Sequence, residues 1–135
     1  MGSAGELVDV ELSDIERTVL VVGLNEWGGP ARATDELAFA MGFRDRADLF
    51  AEGDRIIKQL ERREPLTARD WARTVLVTEV VFASDLVGSG RDWASTTGFS
   101  DVDTIEFLRS IQSKLPGPVR AVIGAEFGTR RTGRF

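Results

Sequence analysis

Four helix-start signals, each followed by a chain breaker, constrain this sequence more than any other feature. Ser13-Asp14-Ile15-Glu16 is a capping box: the Ser13 hydroxyl can accept from the third helical N–H, while Glu16 reaches back to the Ser13 N–H. Thr34 precedes Asp35 and Glu36, which set negative charge at the positive end of a helix dipole. Thr67-Ala68-Arg69-Asp70 and Ser100-Asp101-Val102-Asp103 repeat the cap. Stops fall at Gly28-Gly29-Pro30, Gly42, Glu64-Pro65, Gly88 and Pro116-Gly117-Pro118.

Apolar spacing agrees with the caps. Ile15, Val19, Val22 and Leu20, Leu24, Trp27 form two adjacent rows in the first segment. Leu49, Ile56 and Leu60, with Phe50 and Ile57, make a stripe through 45–63 that Gly53-Asp54 could divide. Val102, Ile105, Leu108, Ile111 and Leu115 recur at intervals of three and four, leaving Asp103, Glu106, Arg109 and Lys114 for water. Residues 18–22 and 74–82 are rich in β-branched side chains, yet the caps around them outweigh that propensity. The prediction is all-α: a compact bundle of about five helices near 14–26, 35–41, 45–63, 68–87 and 101–115, with a short C-terminal arm at 119–127. An acidic, flexible segment at 1–12 precedes a single domain at 13–127, and a basic tail at 128–135 carries Arg130, Arg131 and Arg134.

Composition then narrows function. The chain has no histidine, cysteine or tyrosine, which removes the commonest general base, the reactive thiols and the soft metal ligands. Carboxylates, hydroxyls, two lysines (Lys58 and Lys114) and arginines remain, so neither a metal nor a cofactor is expected and catalysis is disfavoured. A 42% hydrophobic and 29% charged composition is that of an ordinary globular domain. The net charge of −5 disfavours broad affinity for nucleic acid. The first residues lack the pattern of a signal peptide, and the apolar stretch 71–87 is interrupted by Arg73, Glu79 and Asp85. A cytoplasmic protein without a membrane partner is the expectation.

Two segments stand out as candidate sites. The helix predicted over 68–87 is apolar nearly all round, and Glu79 has Val75, Leu76, Phe82 and Ala83 as helical neighbours. Such a carboxylate either pairs with an arginine from another helix, the reading we favour, or stands desolvated as an acid, base or ligand anchor. Residues 88–99 make a long Gly/Ser/Thr-rich connection. In it Arg91 could grip an anion and Trp93 could anchor a partner, although Trp93 and Phe99 pinning the loop to the body is the simpler reading. Gly88-Ser89-Gly90 lacks the ending of a phosphate-binding loop, and Asp101-Val102-Asp103 lacks the other ligands of a calcium loop.

The sequence Glu36-Leu37-Ala38-Phe39-Ala40-Met41-Gly42-Phe43-Arg44-Asp45-Arg46-Ala47-Asp48-Leu49-Phe50 resembles a helix-turn-helix. It is similar to the second such motif of AraC-type regulators, over these residues only. The resemblance implies that Arg44 and Arg46 open a recognition helix and face bases or phosphates. The chain departs from that pattern at Asp48, where an apolar residue normally packs, and in the acids Asp35, Glu36, Asp45, Asp48, Glu52 and Asp54 around it.

The expected function is a non-enzymatic helical protein-interaction or regulatory domain that self-associates. Trp27, Trp71 and Trp93 are its core or interface anchors, and Trp71, Glu79, Asp85, Arg91 and Trp93 are its candidate partner- or ligand-binding residues. The alternatives are a helix-turn-helix regulator using residues 36–50, and a small-ligand binder or carboxylate-dependent enzyme around Glu79 and the 88–99 loop.

Overall fold

The computed structural model describes residues 4–29, 31–125 and 127; the expected basic tail at 128–135 lies outside the described residues. Among these there are seven α-helices: α1 (Asp14–Glu26), α2 (Asp35–Ala40), α3 (Arg46–Glu61), α4 (Ala68–Ala83), α5 (Trp93–Thr97), α6 (Asp101–Lys114) and α7 (Gly117–Ala125). Two short strands, β1 (Leu7–Val8) and β2 (Leu66–Thr67), pair antiparallel with Leu7 opposite Thr67 and Val8 opposite Leu66. The architecture is all-α as predicted, with seven helices instead of about five.

All four predicted caps are made. The hydroxyls of Ser13, Thr34, Thr67 and Ser100 accept from the backbone N–H groups of Glu16, Leu37, Asp70 and Asp103. The box at α1 is complete, because Glu16 Oε1 also accepts from the Ser13 N–H at 2.8 Å. Gly53 does not divide α3; it is buried on the side facing Leu24 of α1.

Three expectations change. The helix predicted to reach residue 87 ends at Ala83, and Ser84 is extended. Beyond it Gly88 and Ser89 bond back to the carbonyls of Ser84 and Val81, and a side chain at Gly88 would strike those of Val80, Val81 and Ser84. The 88–99 loop is a 3-10 turn (Gly90–Asp92) running directly into α5. The 119–127 arm is helix α7 up to Ala125, and it packs on α4. The missed signal there is Pro118, which suits the first turn of a helix because its absent N–H is not needed.

Helix α4 is the centre of the molecule. It packs against α1, α3 and α7, and buries Ala68, Trp71, Ala72, Val75, Val77 and Val81. Contact with α1 is close enough that a Cβ on Gly23 would overlap the Thr78 side chain. Charged cross-ties complete the frame. Arg73, buried on α4, donates to Asp70 Oδ1 at 2.9 Å and to Glu52 Oε1 of α3 at 2.7 Å, while its guanidinium lies 4.4 Å from the centre of the Phe43 ring. Buried Glu16 joins α1 to α6 through Lys114 Nζ at 2.7 Å and the Ser110 hydroxyl. The pair is costly to break from the Lys114 side, because the Glu16 carboxylate left alone is buried away from solvent.

Candidate functional site

A groove of about 300 Å³ is lined by Glu79, Phe82 and Ala83 from α4 and by Ile105, Leu108, Arg109 and Gln112 from α6. Its base is held from beneath: the Phe82 ring meets the buried Trp93 ring edge-on, with centroids 5.5 Å apart. Trp93 is in turn fixed by its indole N–H, which donates to Thr104 Oγ1 of α6 at 2.7 Å.

Glu79 sits in the groove wall half-buried, and its partner is not the arginine expected from the sequence. Its Oε2 accepts from the neutral Gln112 side chain at 2.6 Å. Burial pushes its carboxyl above the usual carboxylate range, and the Gln112 bond and the charge of Arg109 offset only part of that. Among the described residues no other carboxylate lines the groove, so they assemble no acid–base pair of the glycosidase kind there.

The α6 side of the groove opens onto uncovered apolar surface. Ile105 is 48% exposed and Val102, one turn earlier, is 68% exposed, whereas Leu108 and Ile111 are 6% and 0% exposed. That gradient has a geometric cause. Each step of three residues lags the helix turn by roughly 60°, so three steps walk from one face of α6 to the opposite one. The stripe read as buried from end to end therefore rotates out of the core toward its N-terminal end, and the spacing itself carried the signal. Leu86, 93% exposed in the turn after α4, adds a further uncovered apolar side chain.

The remaining expected site residues take other places. Trp71 is buried and its indole N–H donates to the Val8 carbonyl at 2.7 Å, tying the β1 segment to α4. Trp27 is likewise buried, donating to the Val77 carbonyl. Asp85 and Arg91 are exposed and pair with each other, Nε to Oδ2 at 3.2 Å, and the Arg91 N–H also donates to Asp85 Oδ1. That backbone bond, with the Arg91 charge, holds the Asp85 carboxyl low. Neither residue lines the groove, so of the five expected residues only Glu79 is in its wall and Trp93 is beneath it.

No protein-family model matches this chain, and comparisons with curated proteins and with solved structures give no match.

The helix-turn-helix region has α2 packed on α3. Arg44 and Arg46 are exposed at the turn, and both are engaged within their own segment. The Arg44 backbone and guanidinium donate to Asp48 at 3.0 and 3.2 Å. The Arg46 N–H donates to Asp35 at 3.0 Å, and its guanidinium lies 5.2 Å from the centre of the Phe50 ring. Asp48 thus serves as the clasp of the turn, which explains a carboxylate where the motif has an apolar residue. Among the described residues no group of three or more acidic side chains is placed to hold a metal ion, and no helix is long and apolar enough to cross a membrane.

Proposed function

We propose that this chain is a non-enzymatic, self-associating helical interaction domain whose contact face is the groove between α4 and α6. The observation that carries the reading is the pair Val102 and Ile105, both solvent-exposed on α6 at the edge of a groove with an apolar base. Charge supports a second copy as the occupant. The N-terminal half of α6 carries Asp101, Asp103 and Glu106, and its C-terminal half carries Arg109 and Lys114. Two antiparallel copies of α6 centred near Ile105 set Asp101 of each opposite Arg109 of the other, with Ile105 in the seam and Lys114 left on Glu16 of its own chain. Self-complementarity of this kind is what a two-fold interface requires.

Light scattering across a wide concentration range tests the reading. The expected result is a mass that rises from monomer to dimer in the wild type and stays monomeric in Ile105→Glu, with unchanged helical circular dichroism. A wild type that remains monomeric at the highest concentration overturns self-association.

A small-ligand reading of the same groove is favoured by one observation, the desolvated Glu79 carboxyl facing it. Under that reading Glu79→Gln abolishes ligand binding without loss of stability, and an unchanged affinity rejects it.

A further inference from the structure

The geometry points to a binding site for a small phosphate monoester where the end of α1 meets the start of α3, apart from the α4–α6 groove. Trp27, Gly28 and Gly29 after α1, Arg32 in the connection that follows, and Arg46 and Phe50 from the N-terminal turns of α3 line an open cavity of about 480 Å³.

Charge is the first observation. The wall carries two guanidiniums and, among the described residues, no carboxylate. Arg32 and Arg46 are both exposed, and neither guanidinium makes a hydrogen bond or ion pair with the described residues. By contrast Arg44, Arg55, Arg63, Arg73 and Arg91 each pair with a carboxylate.

Position is the second. Arg46 stands one turn before Phe50 on α3, and its guanidinium rests 5.2 Å from the centre of that ring. Stacking uses the face of the guanidinium and leaves its N–H donors, which lie in the plane, for an acceptor. Asp35 takes the Arg46 backbone N–H and is not part of the wall. On the other segment, the Arg32 backbone N–H donates to the Val87 carbonyl at 2.7 Å, and buried Trp27 is bonded through its indole to the Val77 carbonyl. The backbones that carry both arginines are therefore fixed before any ligand arrives.

These features define the ligand. Two guanidiniums without an acid in the wall match a dianion, and each can present paired N–H donors to phosphate oxygens. A phosphate monoester carries close to two charges near neutrality, whereas a diester carries one. The cavity falls within the roughly 300–1,000 Å³ usual for small-molecule sites and exceeds what a free phosphate ion fills, which leaves room for an organic group. Gly28 and Gly29 present backbone in place of side chains, which suits a small polar group such as a glycerol. The exposed acids Asp35 and Asp45, one bonded to the Arg46 backbone and the other beside it in the chain, repel a polyanion laid across this surface.

The test is titration of the full chain with glycerol 3-phosphate, followed by amide chemical shifts. Glycerol, inorganic phosphate, dimethyl phosphate and a random duplex DNA are run in parallel. Saturable shifts at Gly28, Gly29, Arg32 and Arg46 are expected with glycerol 3-phosphate. Binding is weaker with inorganic phosphate, at least tenfold weaker with dimethyl phosphate, and absent with glycerol. Arg32→Gln and Arg46→Gln each weaken binding at least tenfold with unchanged helical circular dichroism, since both side chains are exposed and unpaired. Lys58→Gln removes the same charge from an exposed position farther along α3 and leaves the affinity unchanged. Silence toward glycerol 3-phosphate, an equal response to any of the three small controls, tighter binding of the duplex, or binding that survives in either arginine variant overturns the assignment.

Discussion

At the scale of single residues, Glu79 is the side chain whose environment is least suited to its charge. Its raised pKa means that the folded protein holds this proton to higher pH than the unfolded chain does. Stability therefore falls as pH rises from the ordinary value of 4.5 through the folded-state value. Glu79→Gln removes the charge and leaves an amide able to pair with Gln112. We expect its melting temperature to exceed that of the wild type near neutral pH, with the gap closing in acid; thermal melts at the two pH values check this. An unchanged or lower melting temperature near neutrality would show that the carboxylate is stabilised from outside the groove. Glu79 was visible in the sequence because it interrupts an apolar helix. Its partner was not, because Gln112 lies 33 residues away on another helix.

At the scale of elements, helix starts were legible and helix faces were not. A cap is a contract between a side chain and a backbone N–H three residues on, so Ser13, Thr34, Thr67 and Ser100 reveal themselves without any knowledge of the fold. Two glycines show what the sequence withholds. Gly23 and Gly53 both sit inside helices, and on propensity each should gain about 1 kcal/mol on change to alanine. The fold separates them. A Cβ at Gly23 overlaps Thr78, whose hydroxyl is itself engaged with the Thr74 carbonyl, whereas at Gly53 the nearest contact is Leu24 at 3.9 Å. Gly23→Ala is expected to destabilise by about 1–2 kcal/mol, since overpacking outweighs propensity. Gly53→Ala is expected to stabilise by up to about 1 kcal/mol. Urea unfolding of both variants measures the contrast, and equal effects would mean that α1 and α4 are not in close contact at Gly23.

At the scale of the whole molecule, the helices are tied together by carboxylates that must be ionised. Burial pushes the Glu16 carboxyl up, but hydrogen bonds from Lys114, Ser110 and the Ser13 N–H, with the charge of Lys114, outweigh it and bring it to about 2. A hydrogen bond from Arg55 leads at Glu52, opposed by burial and reinforced by the charges of Arg55 and Arg73, again to about 2. A lowered folded-state pKa contributes stability that is present above 4.5 and lost as pH falls toward 2. The unfolding free energy should therefore drop steeply across that window. Glu16→Gln should cost about 2 kcal/mol near neutrality and make the drop shallower. Denaturant titrations at a series of acidic pH values test both; a flat profile would show that neither carboxylate is tied in solution.

Local rules were enough to read the helical class, the helix starts and the outlier status of Glu79 from the chain, since each depends on neighbours within about one turn. Tertiary packing alone decided the rest. The spacing along α6 shows that its apolar stripe rotates, but which end of the stripe faces solvent depends on the sector of α6 that meets α1. Whether Trp71 and Trp93 serve as anchors or as core depends on distant acceptors, the Val8 carbonyl and the Thr104 hydroxyl. That Arg32 and Arg46 share one cavity wall became visible only once α1 and α3 had packed together, because a cavity is a property of the assembled surface and not of any stretch of sequence.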